Sequence, residues 1–363
     1  MKPRNIAIAC GVAGAAVGLA AATGIVYRKQ VKSVASVKRL TGYADGYDLY
    51  AIDIAYDYDL DRIIAAGVRD DQAYIDAVVA QVLPGVPAHV QAPQFACSAF
   101  VAVDVEGRVR TGRNYDFKDD TSALLVRNHP RDGYASIGFA ALNNLGDNTP
   151  LDSVAGRAAA LMGPFAQLDG VNECGVSIAV LTLDSKPCDQ DTQRPVINTS
   201  LAIRLVLDRA ATTQEAVDLL SAYDMHAMAG RDYHFFINDA AGDAQVVEWD
   251  PRDPDRAFKA TPVRQVTNFY ACYGDEVLPN QKNGELGHGK ERAIAIADVL
   301  DAHTGAQDEA VVWKALRAAA QEPNPEDITS NTQWSVVFDN TEPAAAITLR
   351  RHWGDVDAFR SEE

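Results

Sequence analysis

The 363-residue sequence predicts an α+β fold: two β-sheets stacked face to face between outer layers of helices, a four-layer αββα sandwich. Three observations predict it. Apolar and β-branched runs pair as hairpins at both ends of the main body, Ser98 to Val105 with Arg108 to Thr111, and Trp334 to Asp339 with Ala345 to Leu349. Two consecutive helices, Thr199 to Ala211 and Gln214 to Ala222, sit between strand groups. A second pair, Ala293 to His303 and Glu309 to Gln321, follows the central strands, with Ala310, Trp313, Leu316 and Ala320 sharing one face of the last helix.

Composition narrows the function. A hydrophobic content of 47% and a charged content of 23% are those of a globular protein. The net charge is −17, and residues 1–29 hold four basic and no acidic residues, so the remainder carries −21. So acidic a body repels phosphate backbones, which argues against nucleic-acid binding. Of the five cysteines, Cys10, Cys97, Cys174, Cys188 and Cys272, none has zinc-ligand spacing, so no metal is expected. Cys174 and Cys188 are open to two readings, a disulfide or two unpaired buried thiols.

In chain order, residues 5–27 are apolar and small and long enough to span a bilayer, with Lys2 and Arg4 before them and Arg28 and Lys29 after. Residues 1–29 are therefore expected to be a membrane anchor, or a signal segment that leaves a secreted body if it is cut. Positive charge at both ends leaves the orientation open. Gly11, Gly14 and Gly18 follow no strand and read as helix packing rather than a phosphate loop. Residues 30–96 form a second region. Its Tyr- and Asp-rich start lacks the Gly and final Glu of an EF-hand. Short helices are expected over Asp61 to Ala66 and Asp71 to Leu83, then a Pro-rich connector from Leu83 to Gln94.

Residues 97–363 carry the chemistry. The turn at Glu106-Gly107 folds the chain back on itself, so that Arg113 and Asp116 of Gly112-Arg113-Asn114-Tyr115-Asp116 return beside Cys97. A free thiol with a pKa of about 8.5 is mostly protonated at neutral pH, and a neighbouring guanidinium favours the thiolate. If the chain were cut before Cys97, its α-amine, with a pKa of about 7.7–8.0, would lie a few bonds from the sulfur and serve as general base. Asp116 would hold that amine.

Further strands are expected over Ala123 to Asn128, Tyr134 to Ala141, Ser177 to Leu183, Tyr233 to Asn238 and Ala244 to Trp249. Leu168-Asp169-Gly170-Val171-Asn172-Glu173-Cys174-Gly175-Val176 precedes the third of these, and Gly175 reads as a turn requirement. Thr212 and Glu215 form a capping box. Val266-Thr267-Asn268-Phe269-Tyr270 and His288-Gly289-Lys290-Glu291-Arg292 complete the informative stretches.

Together these resemble the choloylglycine hydrolase and penicillin V acylase family of N-terminal nucleophile (Ntn) hydrolases, with acid ceramidase as a relative. The shared pattern is Cys97, the spaced Arg113 and Asp116, the Asn-Glu-x-Gly segment from Asn172, the Thr-Asn segment at Asn268, and Arg292. The resemblance implies the αββα Ntn fold and a pro-region over residues 30–96. It also implies cleavage between Ala96 and Cys97, with the fragment retained as a small subunit. It further implies hydrolysis of a linear N-acyl amide, without a cofactor, in an exported body. Asn268 would donate to the oxyanion, Arg113 and Arg292 would hold the thiolate, and Asn172 and Thr182 are candidates near substrate or oxyanion. Family members carry Asn or Tyr where Thr182 stands, which weakens bile-salt or penicillin specificity. Only 23 residues separate Asn268 from Arg292. The longer hairpin of tetrameric members is missing there, so their assembly is not carried over. Two alternatives stay open: a non-catalytic membrane-tethered binder on the same fold, and a thiol hydrolase pairing Cys97 with His234, His288 or His303.

Overall fold

The computed structural model describes residues 27–83 and 96–360, apart from 147, 283, 325 and 327–329. The expected anchor over residues 5–27 lies, Tyr27 excepted, outside the described residues, as does the connector beyond Leu83. Among the described residues no helix is long and apolar enough to cross a membrane.

Nine strands form the larger sheet, in the order β1 (Lys38–Thr41), β2 (Leu49–Ile54), β5 (Ala123–Asn128), β6 (Ser136–Ala141), β7 (Gln167–Asn172), β8 (Ser177–Leu183), β11 (Asp232–Asn238), β12 (Ala244–Trp249) and β13 (Phe258–Pro262). Only β2 and β5 run parallel. The second sheet is antiparallel throughout, in the order β14 (Gln265–Val266), β3 (Ala96–Val103), β4 (Val109–Asp116), β15 (Thr332–Asp339), β16 (Ala344–Leu349) and β17 (Asp357–Arg360). A small parallel ribbon joins β9 (Val196–Asn198) to β10 (Asp224–His226).

Short helices α1 (Arg28–Ser36), α2 (Leu60–Ala65), α3 (Asp71–Val82), α4 (Leu142–Gly146) and α5 (Val154–Ala159) flank these strands. The paired helices form the outer layers. α6 (Thr199–Arg209) and α7 (Thr213–Ser221) lie on the nine-stranded sheet, and α8 (Lys290–Asp301) and α9 (Glu309–Ala319) on the six-stranded one. Phe100 and Ala102 of β3 turn outward into the apolar cluster of α8 and α9, while Cys97, Ala99 and Val101 face the inter-sheet core, as the period of two requires. The expected capping box forms in one half: Thr212 Oγ1 accepts from Glu215 N at 3.1 Å, while Glu215 Oε2 accepts from Ala211 N at 2.8 Å rather than from Thr212 N. Gly175 has φ +84°, and a Cβ there would sit 2.1 Å from Asn340 O.

Residues 30–83 share the sheet and core of the main body. β1 and β2 belong to the larger sheet, and Leu49, Ile52 and Ile54 join the core shared with β5 and β8. Tyr58 donates to Asp208 Oδ2 at 2.9 Å and accepts from Asn128. Asp208 in turn pairs with the fully buried Arg204 of α6. The Tyr- and Asp-rich stretch is therefore a buried polar junction with an internal strand. The four described cysteines are free, so Cys174 and Cys188 take the unpaired reading; Cys188 is buried and Cys174 is half-buried.

Gly112 faces Phe100 across the β3–β4 ladder, where a Cβ would stand 2.2 Å from the ring. Gly112→Ala is expected to destabilise the protein by about 1–3 kcal/mol through overpacking. Urea denaturation reads this, and an unchanged midpoint would show that the ring moves aside freely.

Candidate active site

Cys97 lies at the start of β3, with no exposure to solvent. β14 pairs with β3 at Val266↔Ala99, and the antiparallel register carried two residues on brings Asn268 opposite Cys97. Asn268 Oδ1 accepts the Cys97 backbone N–H at 3.0 Å, and its Nδ2 donates to Thr182 O at 2.8 Å. Arg292 sits in the first turn of α8, which Gly289 caps at φ +82°. A Cβ on that glycine would lie 2.5 Å from Arg292 Nη2. Arg292 Nη1 donates to Cys97 O at 3.0 Å and to Asp116 Oδ2 at 3.2 Å, while Nη2 donates to Asn268 Oδ1 at 2.6 Å. Both backbone polar groups of Cys97 are thus held by side chains from a different part of the chain.

Arg113 reaches inward from β4 and is fully buried. Its Nη1 donates to Asn114 O at 2.5 Å and its Nη2 to Val180 O at 2.9 Å; its Nε lies 3.4 Å from Asp169 Oδ2. Asp116 accepts from Thr332 Oγ1 at 2.6 Å and Gln321 Nε2 at 2.8 Å, beside its contact with Arg292. Burial pushes the Cys97 thiol up to about 11; the Arg113 guanidinium beside it pulls down, and Asp116 pushes up. Burial likewise raises the Asp169 carboxyl to about 6, against the pull of Arg113. In the continuous chain the Cys97 nitrogen is a peptide N–H and the thiol keeps its proton at neutral pH.

Cys97, Arg113, Asp116, Asn268 and Arg292 are therefore brought together, and two other expected residues are not. Asn172 spends its amide on Leu207 O and Ala210 O and its carbonyl on the amides of Cys174 and Val176, so it fastens the β7–β8 turn to the end of α6. Thr182 offers the site its carbonyl. Ser177 reaches Thr111 in the other sheet at 2.7 Å, so odd-numbered positions of β8 face inward. The Thr182 hydroxyl, buried without a hydrogen-bond partner, lies on the opposite face. The histidines are engaged elsewhere: His234 Nδ1 lies 3.4 Å from Glu248, His288 Nδ1 2.7 Å from Asp184, and His303 Nδ1 2.7 Å from Val299 O.

Asp169, Gln321 and Thr332 escaped the sequence reading. Asp169 left one signal, an acid flanked by Leu168 and Gly170-Val171 in a strand; the other two left none. A cavity of about 560 Å³ is lined by Phe269, Cys272, Lys290 and Ala293 among others and includes none of the five converging residues. Its lining includes Phe269 and Ala293, the chain neighbours of Asn268 and Arg292.

Arg292 is the shared donor to three buried acceptors. Arg292→Met leaves the Asp116 carboxylate without its cation and is expected to cost about 3–5 kcal/mol. Chemical denaturation checks this; a loss below about 1 kcal/mol would mean that Arg292 is dispensable to the architecture.

Residues 105–352 match the family model described as acyl-coenzyme A:6-aminopenicillanic acid acyl-transferase. The match begins just after Cys97 and takes in Arg113, Asp116, Asn268 and Arg292. A comparison with curated proteins finds no match. Among solved structures the chain is similar to penicillin V acylase from Agrobacterium tumefaciens, at 21% identity and TM-score 0.51, over 70% of this chain and 83% of that one. It is also similar to a mutant of conjugated bile acid hydrolase from Clostridium perfringens, at 15% identity and TM-score 0.56, over 74% and 93% of the two chains. A second variant of that hydrolase matches at 15% identity and TM-score 0.55, over 73% and 93%. At these identities the likeness is one of fold, and the family assignment rests on the sequence match. The chain belongs to the acyl-coenzyme A:6-aminopenicillanic acid acyl-transferase family, among the Ntn linear amide hydrolases.

Proposed function

We propose that this hydrolase of linear amides is a self-processing cysteine amidase with Cys97 as nucleophile. The observation that carries the reading is the grip on Cys97 itself: Asn268 holds its nitrogen and Arg292 its carbonyl, while Arg113 faces its sulfur. A structural cysteine needs no such arrangement around its own backbone.

Processing begins with attack of the Cys97 sulfur on the Ala96 carbonyl. The Ala96–Cys97 C–N bond breaks, the freed nitrogen takes the thiol proton, and water hydrolyses the resulting thioester. The new α-amine keeps Asn268 Oδ1 as acceptor, which leaves its lone pair free to act as base. In turnover that amine takes the thiol proton as sulfur attacks the substrate carbonyl, then delivers it to the leaving amine. Water attacks the acyl thioester, and the acid departs. One Asn268 N–H is spent on Thr182 O, and the other is available to the developing oxyanion. The favoured substrate is a linear N-acyl amide with an apolar acyl group, the class to which penicillin V and conjugated bile acids belong.

Purified wild-type protein is expected to yield a fragment that begins Cys97-Ser98-Ala99, whereas Cys97→Ala stays whole; intact mass and N-terminal sequencing decide. A wild type that stays whole under all conditions has no free amine, and the mechanism fails. Asn268→Ala in processed enzyme is expected to lower kcat on penicillin V by about 100- to 1,000-fold, the loss typical of one oxyanion donor. A kcat within threefold of wild type would remove Asn268 from that role.

A further inference from the structure

We propose that Asp169 acts on the nucleophile through Arg113: it competes with the Cys97 thiolate for the guanidinium, and so sets how readily the sulfur ionises. The inference rests on Cys97 being the nucleophile.

Arg113 has no contact with solvent, and neither has Asp169. Among the described residues the groups around the Arg113 guanidinium are the Cys97 sulfur, the Asp169 carboxylate, the Tyr115 ring at 5.9 Å and the carbonyls of Asn114 and Val180, with Asp116 as the next charge. Asp169 comes from β7 of the nine-stranded sheet and Arg113 from β4 of the six-stranded one, so the pair spans the sandwich. Trp334 of β15 donates from Nε1 to the same oxygen, Oδ2, at 3.0 Å, and stacks on Tyr115 at 4.1 Å. The one oxygen thus faces both the Trp334 indole and the Arg113 guanidinium.

An anion fixed there favours the neutral thiol, since it cancels part of the field that would hold a thiolate. With its carboxyl near 6, Asp169 is ionised throughout the range in which Cys97 loses its proton. A carboxylate that served only to neutralise Arg113 for folding would equally be buried and paired. The two roles differ in what happens to the sulfur when the charge is removed without loss of shape.

Asp169→Asn does this, because the amide oxygen still accepts from Trp334. The test is to label cysteine Cβ with a carbon isotope, assign Cys97 by its loss in Cys97→Ser, and follow its NMR shift with pH. The Cys97 midpoint is expected to fall by about one to three pH units in Asp169→Asn, the size of one adjacent charge. Asp169→Ser, which removes the charge by another route, covers the case in which the first variant does not fold. An unchanged or higher midpoint in the folded variant overturns the proposal. The titration needs no substrate, so it stands apart from the nucleophile reading. That reading fails instead if Cys97→Ala retains wild-type amidase activity.

Discussion

A guanidinium shut away from water stands between the two sheets, and its partners come from both. Arg113 rises from β4, and Asp169 and Val180 meet it from β7 and β8. Burying two charges is costly even when they pair, and an apolar replacement is often as stable. The pair therefore earns little as glue. Its effect is to hold a cation that cannot be solvated or displaced at the inner face of β3, next to Cys97. The Tyr115 ring lies 5.9 Å from this cation and stacks in turn on Trp334, and the guanidinium has no exposure to solvent. The charge then acts in a medium where it is felt strongly.

The same logic of borrowed partners governs the Cys97 backbone. A residue in mid-strand has its N–H and C=O taken up by the ladder. At the start of β3 the neighbouring strand β14 is two residues long, and the groups it leaves open are taken by Asn268 and Arg292. The short strand and the glycine-capped start of α8 are thus part of the site, since a longer ladder would exclude both side chains.

The place of residues 30–83 bears on what cleavage would do. β2 pairs with β5 in the nine-stranded sheet, while Cys97 begins β3 in the other. A cut between Ala96 and Cys97 breaks no rung between β2 and β5. It leaves the junction of Tyr58, Asn128, Asp208 and Arg204 intact, so the upstream piece has every reason to remain in place.

Most strands and paired helices were legible in the sequence, because a period of two or of 3.6 is a local property that needs no partner to be seen. β2 was missed: its Tyr and Asp neighbours resemble a loop until their hydroxyls and carboxylates are given buried partners. That Cys97, Arg113 and Asp116 meet was readable from residue type and spacing, and that Asn268 and Arg292 join them only from the family resemblance. The hairpin places the first three. The Asn172 side chain is taken up by the turn after β7 and the end of α6, partners that its position in the sequence does not announce. By itself the sequence determined which residues could do thiol chemistry and the elements that carry them. Tertiary structure alone decided that Asp169 shares the charge of Arg113, that Thr332 and Gln321 hold Asp116, and that Thr182 presents its carbonyl. These contacts join positions 56 to more than 200 residues apart, and only the stacking of two sheets sets which side chains meet across the gap.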